Sequence, residues 1–298
     1  MSTMERSAVL ARRLYDRFEP IHAVTYFAPD ARAAMEAAGY HGTGMGYFAG
    51  RSAPLGPVPP EVVTALFYNF ADSQAARVLP DAWRYAPPAV ALRARAAGAV
   101  AALHRCGVAG DDVTRTAAEL LTKAAIAGEL GGRPLYAANR ALPCPTEPVA
   151  MLWHATTLLR EHRGDGHIAV LAAHGITGRE SNVLQVASGR VSREFIMRSR
   201  VYDAVQWKQH QDNLIRRGLL DDTGSLTPTG HQLKTRIEDD TDTLALSIWA
   251  ALDDAELQRL FAVLTPLTRQ VVAGGDIPVD TPMGLARHEL DDDAAHLF

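Results

Sequence analysis

The sequence predicts a mainly α protein built from two helical domains. Three observations carry this. Alanine is abundant while aromatic residues make up only 7% of the chain, a balance that favours helix over strand. Apolar residues recur at three- and four-residue spacing, the period of an amphipathic helix. Glycine and proline clusters cut these stretches into pieces of helical length. At 298 residues, with 47% hydrophobic and 21% charged residues, the chain has the composition of a globular protein of one large or two ordinary domains. A net charge of −4 gives no global nucleic-acid signal. Two cysteines, Cys106 and Cys144, exclude a disulfide framework and a cysteine zinc site. No apolar signal core and no run of about 18 apolar residues occurs, so a cytoplasmic protein with no membrane partner is expected.

In order along the chain, residues 5–18 read as a helix with Val9, Leu10, Leu14 and Phe18 on one side, interrupted by Glu19-Pro20. A second helix follows, with His22 and Tyr26 on one face at i, i+4. Residues 30–38 continue as helix. The glycine-dense stretch 39–51 lacks the dinucleotide fingerprint, because Tyr47 stands where its third glycine belongs. It reads instead as close backbone packing or a loop over a pocket. Pro60 opens a helix over 60–70 with Val63, Leu66, Phe67 and Phe70 inward. Asp81–Arg84 is a short turn or helix. Residues 88–104 are a long helix, and Asp111 or Asp112 caps another through about 127. Leu142–Pro148 is the clearest linker. It divides the chain into a helical ligand-pocket domain over 1–144, a second domain with terminal packing helices over 145–272, and an acidic, mobile tail over 273–298.

The stretch just after that linker organises the second half. Between Trp153 and His167 stand three histidines, two arginines, a glutamate and an aspartate. As a helix it places His154, Thr157 and Glu161 on one side beside an apolar stripe of Leu152, Ala155 and Leu159, with Gly164 and Gly166 as its C-terminal cap. Partly buried polar groups need partners. Three readings stay open: a hydrogen-bonded core network, a ligand or substrate pocket, and a haem or metal site through His154, His162, His167 or His22. The spacing matches no zinc motif, so no metal ligand set is assigned. The ligand-binding candidates are His22, Tyr26, Trp153, His154, Thr157, Arg160, Glu161, His162, Arg163 and His167. If the protein is an enzyme, His154 and Glu161 are the candidate base and orienter, and Arg160 or Arg163 holds an anionic group. No cofactor is identified.

Short helices are expected over 179–188, 193–200 and 204–217, followed by a tight turn at Asp221–Leu226 and a proline-opened helix from Thr227. Arg216-Arg217-Gly218-Leu219-Leu220, the turn and Leu226-Thr227-Pro228-Thr229-Gly230 together resemble a winged helix-turn-helix of the multiple-antibiotic-resistance-regulator (MarR) type over residues 165–245. The whole chain, through the Trp153–His167 run above all, resembles an actinobacterial family of helix-turn-helix proteins. The resemblance implies a winged helix-turn-helix domain, double-stranded DNA as partner, and a homodimer formed through the terminal helices. Between 178 and 220 eight basic residues face four acidic ones. The DNA-binding candidates are Arg198, Arg200, Gln206, Lys208, Gln209, His210, Asn213, Arg216 and Arg217, since glutamine, asparagine and arginine read base edges. The short, acidic wing at Asp221-Asp222 departs from the pattern. A divergent duplication is a further expectation, from Glu19-Pro20 and Glu147-Pro148 and from Trp83 and Trp207, each tryptophan about sixty residues after its Glu-Pro. The functional readings are a ligand-responsive DNA-binding regulator, and an enzyme or haem-, metal- or small-molecule-binding protein that keeps the winged helix as scaffold.

Overall fold

A computed structural model describes residues 6–297. Among them fourteen α-helices follow one another: α1 Ala8–Phe27, α2 Pro29–Ala37, α3 Gly42–Ser52, α4 Pro60–Phe67, α5 Asp72–Tyr85, α6 Pro88–Arg105, α7 Asp112–Ala125, α8 Pro134–Arg140, α9 Pro148–Ala173, α10 Gly178–Ala187, α11 Arg193–Ser199, α12 Ala204–Arg216, α13 Pro228–Leu246 and α14 Asp254–Ala273. The only extended pairing among the described residues is one antiparallel bridge between Leu220 and Leu226. No described helix is long and apolar enough to cross a membrane.

Local chemistry sets most helix starts. Ser7, Asp111, Glu147, Thr177, Ser192, Asp203, Thr227 and Asp253 each accept a backbone N–H of the first turn. Burial overrides local signals in two places. Glu19-Pro20 does not interrupt the first helix. Pro20 lies inside α1, which is buried continuously from Arg13 to Val24, so packing outweighs the lost backbone bond. Gly164 and Gly166 do not end α9, which continues to Ala173. A Cβ on Gly166 would stand 2.7 Å from Arg133 Nη1. The glycine thus admits the guanidinium, which donates to the carbonyls of His162 and Leu244. The glycine-dense stretch is likewise a helix, α3, rather than a loop. Gly46 and Gly50 lie against Met35 of α2, so the expected close packing is present.

The main core is formed by α1, α6, α7, α9 and α14, with Ala245 of α13, and centres on Leu14, Leu103, Leu121, Leu158 and Phe261. It runs across residue 144, so packing does not divide at the expected linker. A second core begins within the last turns of α9 at Val170 and Leu171 and extends through α10–α12 to Ile237 of α13. The long helices pack reciprocally: α1 on α14 and α7 on α9, α1 on α13 and α6 on α9. The tail is not free. Ile277, Leu290, Ala295 and Leu297 are buried. The buried Arg13 donates to the Ala295 carbonyl, and Arg17 to those of Glu289 and Asp292. These guanidiniums need acceptors, and the tail supplies them. Of the terminal helices expected to make a homodimer, α14 has its apolar face (Leu257, Leu260, Phe261, Leu264) buried within the chain, while Leu244 of α13 is 41% exposed.

Candidate functional site

Helix α9 carries the polar stretch into the centre of the molecule, but its side chains diverge. On one side Thr157 and Glu161 meet α1 and α3. The Thr157 hydroxyl donates to the Trp153 carbonyl (2.9 Å), so its oxygen accepts from His22 Nδ1 at 3.0 Å. His22 Nε2 then accepts from the Tyr26 hydroxyl at 3.1 Å, and the indole of Trp153 donates to the His22 carbonyl. Both imidazole nitrogens are used by the neutral ring. Burial, followed by the Arg160 charge, holds its pKa well below the usual histidine value.

Next to this relay lies an ion cluster. Arg51 of α3 binds Glu161 through two bonds of 3.1 Å, Nε to Oε1 and Nη2 to Oε2, and Arg160 adds a third at 2.9 Å. Burial alone would raise the Glu161 carboxyl; the Arg160 and Arg51 guanidiniums outweigh it and hold it well below the usual range. Glu19, 1% exposed, has no hydrogen-bond partner on either oxygen, and Arg160 Nε stands 3.7 Å away. Burial pushes its pKa up to about 7, with Arg160 opposing and Glu161 adding to the rise. Arg95 of α6 is also buried. It donates to the Gly50 carbonyl and to Asn139 Oδ1 and lies over Trp153, but it meets no carboxylate and its Nε has no partner.

The other candidates lie elsewhere. His154 makes no hydrogen bond with Glu161, so the expected base–orienter pair is not assembled; Arg51 and Arg160 occupy that carboxylate instead. Burial and then Arg95 push His154 down to about 4. His162 faces Tyr136 edge-on, its Nε2 is unpartnered, and burial and then Arg133 lower it to about 3. His167 bonds Thr241 of α13 at 2.9 Å. Arg163 binds Asp242 at 2.5 Å beside Arg12 and Glu238. Four histidines with four separate surroundings cannot share a metal or haem iron, and among the described residues no group of His, Cys, Asp and Glu converges as a metal site.

A pocket of about 50 Å³ adjoins the cluster between α1, α2, α3 and α6. Tyr26, Met35, Tyr40 and Tyr47 line its walls together with Arg51 and Arg95, and Arg32 and Glu36 stand among its lining residues on the exposed side of α2. Sequence reasoning reached Tyr26 but not Arg51, Arg95, Tyr47 or Glu19. Arg51 and Glu161 are 110 positions apart, a separation that no local spacing encodes.

The C-terminal helices α10, α11 and α12, followed by the Leu220–Leu226 bridge, form a helix-turn-helix arrangement. Trp207 and Leu214 of α12 point inward, while Gln206, Lys208 and Gln209 are exposed and His210 and Asn213 half-buried. Val205, 77% exposed at the start of α12, belongs to the same surface, though an apolar residue there carries no sequence signal of its own. Two candidates are held by neighbouring groups: Arg200 is half-buried, and Arg217 stays exposed. Arg200 packs over the Phe70 ring at 4.0 Å. Arg217 donates to the carbonyls of Gly175 and His174, past the end of α9. Arg198 and Arg216 remain exposed, and Lys208 pairs with Asp212 at 2.7 Å. The Asp221 carboxylate accepts from Thr223 and Ser225, which explains the acidic turn as its own hydrogen-bonded loop. Gly230 is required because a Cβ there would meet the Leu219 carbonyl at 2.1 Å.

The two regions touch through the α4–α5 junction. Tyr68 has φ 57°, a conformation that non-glycine residues rarely adopt. Its carbonyl presses on Gly178 of α10, where a Cβ would lie 1.8 Å away, and its hydroxyl donates to the Ile176 carbonyl. Asn182 donates to the Asn69 carbonyl. Behind them Phe67 lies under Arg51 at 4.2 Å, and Phe70 contacts Tyr47 with ring centroids 5.3 Å apart.

A family model described as a helix-turn-helix family matches residues 11–278. No curated protein and no solved structure matches the chain.

Proposed function

The chain belongs to a helix-turn-helix family, and from that premise we propose that it is a ligand-responsive, DNA-binding transcriptional regulator acting in the cytoplasm. The observation that carries this reading is the outward face of α12. Gln209 presents a free amide of the kind that pairs bidentately with adenine, Asn213 lies half-buried on the same face with its Oδ1 accepting from Arg216, and an exposed Val205 beside them is suited to a thymine methyl. The capping box of Asp203 and Gln206 fixes the helix start, where recognition helices meet base edges. Ligand response is supported by the contact path from Arg51 and Tyr47 through Phe67 and Phe70 to Tyr68, Gly178 and α10. A change in the ion cluster would bear on the strained Tyr68 junction and through it on the helix that supports α12.

The test is titration of the full chain with duplex from its own upstream region. Nanomolar binding to a defined site is expected. Gln209→Ala and Asn213→Ala should each cost about 1–3 kcal/mol and relax base preference at one position. Weak binding, the same for every sequence, would overturn the proposal.

A further inference from the structure

We infer that the pocket between α1, α2, α3 and α6 is a binding site for a small organic monocarboxylate, with Arg95 as its principal cation. The argument begins with charge. Arg51, Arg95, Arg160 and Arg200 are gathered around the ion cluster, and the carboxylates among them are Glu161 and Glu19, with Asp165 farther off and taken by the Tyr136 N–H. Glu161 is already taken by Arg51 and Arg160. Glu19 is paired loosely and only with Arg160. Arg95 is 7% exposed, has no carboxylate and keeps an unpartnered Nε. A buried guanidinium without a counter-ion costs several kcal/mol, and an anion entering beside it recovers much of that.

Shape narrows the class. A space of about 50 Å³ holds three or four waters, or an acid of a few heavy atoms. Its walls are the rings of Tyr26, Tyr40 and Tyr47 and the side chain of Met35, so the remainder of the ligand must be apolar. The Tyr40 hydroxyl is already donated to the Ala86 and Pro87 carbonyls, leaving the ring as its contribution. With Nη1 and Nη2 given to Gly50 and Asn139, Arg95 keeps one unpartnered donor, Nε, and a single positive charge; a monocarboxylate matches both, whereas a doubly charged phosphate would leave charge uncompensated. The mouth carries Arg32 and Glu36, one charge of each sign, so selectivity for an anion rests on the interior.

This deepens the regulator reading by naming its ligand, but binding is measured without DNA, so the two can fail separately. Isothermal titration of the full chain with butyrate, butyramide and inorganic phosphate at constant ionic strength is the test. Butyrate should bind saturably, with butyramide about tenfold weaker or worse, since the charge-assisted bond is lost. Arg95→Gln should weaken butyrate by a similar factor. Thr43→Trp narrows the pocket from its exposed lip without touching the buried cluster. It should abolish binding in a protein of unchanged thermal midpoint, and it decides the matter if Arg95→Gln does not fold. Equal binding of butyrate and butyramide, preference for phosphate, no binding of any probe, or undiminished butyrate binding by the Thr43→Trp protein would each overturn the inference.

Discussion

Replacing Glu161 with glutamine should be the most damaging single change in the ion cluster, and it should cost more than removal of its partner Arg51. Glu161 accepts three charged hydrogen bonds while 1% exposed. Glu161→Gln leaves Arg51 and Arg160 buried with only Glu19 as carboxylate. Removing one member of a buried pair costs about 3–5 kcal/mol. Arg51→Met is milder, about 1.5–3 kcal/mol, because Glu161 keeps Arg160 at 2.9 Å and the methionine still fills the space over Phe67. The double variant should fall short of the sum by about 1–3 kcal/mol, since the residues touch. Urea unfolding at pH 7, followed by tryptophan fluorescence, measures all three. A second readout tests the electrostatics. The Glu19 carboxyl is raised to about 7, so the stability its neutral form contributes is present below the unfolded value near 4.5 and is lost as pH rises through 7. Glu161 is one cause of that rise. In Glu161→Gln the Glu19 titration should move down and the alkaline loss shrink. Equal costs for the two single variants, or an unmoved pH profile, would refute the assignment of Glu161 as the shared counter-ion.

Three further outcomes follow from other places in the fold. His162 is held down to about 3, so the stability of its neutral form is present above the unfolded value near 6.5 and is lost as pH falls; at pH 5, His162→Phe should therefore be more stable relative to wild type than at pH 8 by about 2 kcal/mol, read from urea midpoints at the two pH values. Gly178→Ala would set a methyl 1.8 Å from the Tyr68 carbonyl, so a thermal midpoint at least several degrees lower is expected, with Gly44→Ala, whose added methyl on a helix meets nothing within 4 Å, as the control without a clash. Because Arg200 packs over Phe70 and Arg217 spends its donors on the Gly175 and His174 carbonyls, the reading face keeps about four or five cations, and the slope of log K against log salt should be near −4, measured by fluorescence anisotropy; a slope near −10 would require basic residues outside α11 and α12.

The helices were legible because their signals are local. Caps at Asp111, Ser192, Asp203 and Thr227 and prolines at Pro60, Pro88 and Pro228 mark starts that need no tertiary partner. The errors fall where packing overrides such signals: Pro20 inside α1, Gly166 opened for Arg133, and a tail ordered by Arg13 and Arg17. The polar stretch on α9 lies in the interior, as its pattern predicts, and its side chains diverge into separate surroundings. A helical wheel assigns directions but not what waits in each, and here α1 and α3, α8, and α13 take different side chains of the same helix.

The same limit applies to the Glu-Pro pairs from which a duplication is expected. Glu19-Pro20 lies in the middle of a buried helix, whereas Glu147 caps α9 at its start, so the pair occupies unlike positions. The more telling correspondences are Pro88 and Pro228, each first in a long helix, and Asp111 and Asp253, each capping the helix after it. They join the reciprocal packing of α1 on α14 with α7 on α9, and of α1 on α13 with α6 on α9. An exchange in which each element of one half meets the counterpart's partner is what a two-fold interface produces. Fused into one chain, such a pair would need no second copy to bury its terminal helices, in keeping with the filled face of α14. It would also free one half to lose its reading helix. In the first half α5 runs through Ala86 directly into α6 without a wing, and the carboxylate pocket lies among the helices that precede it.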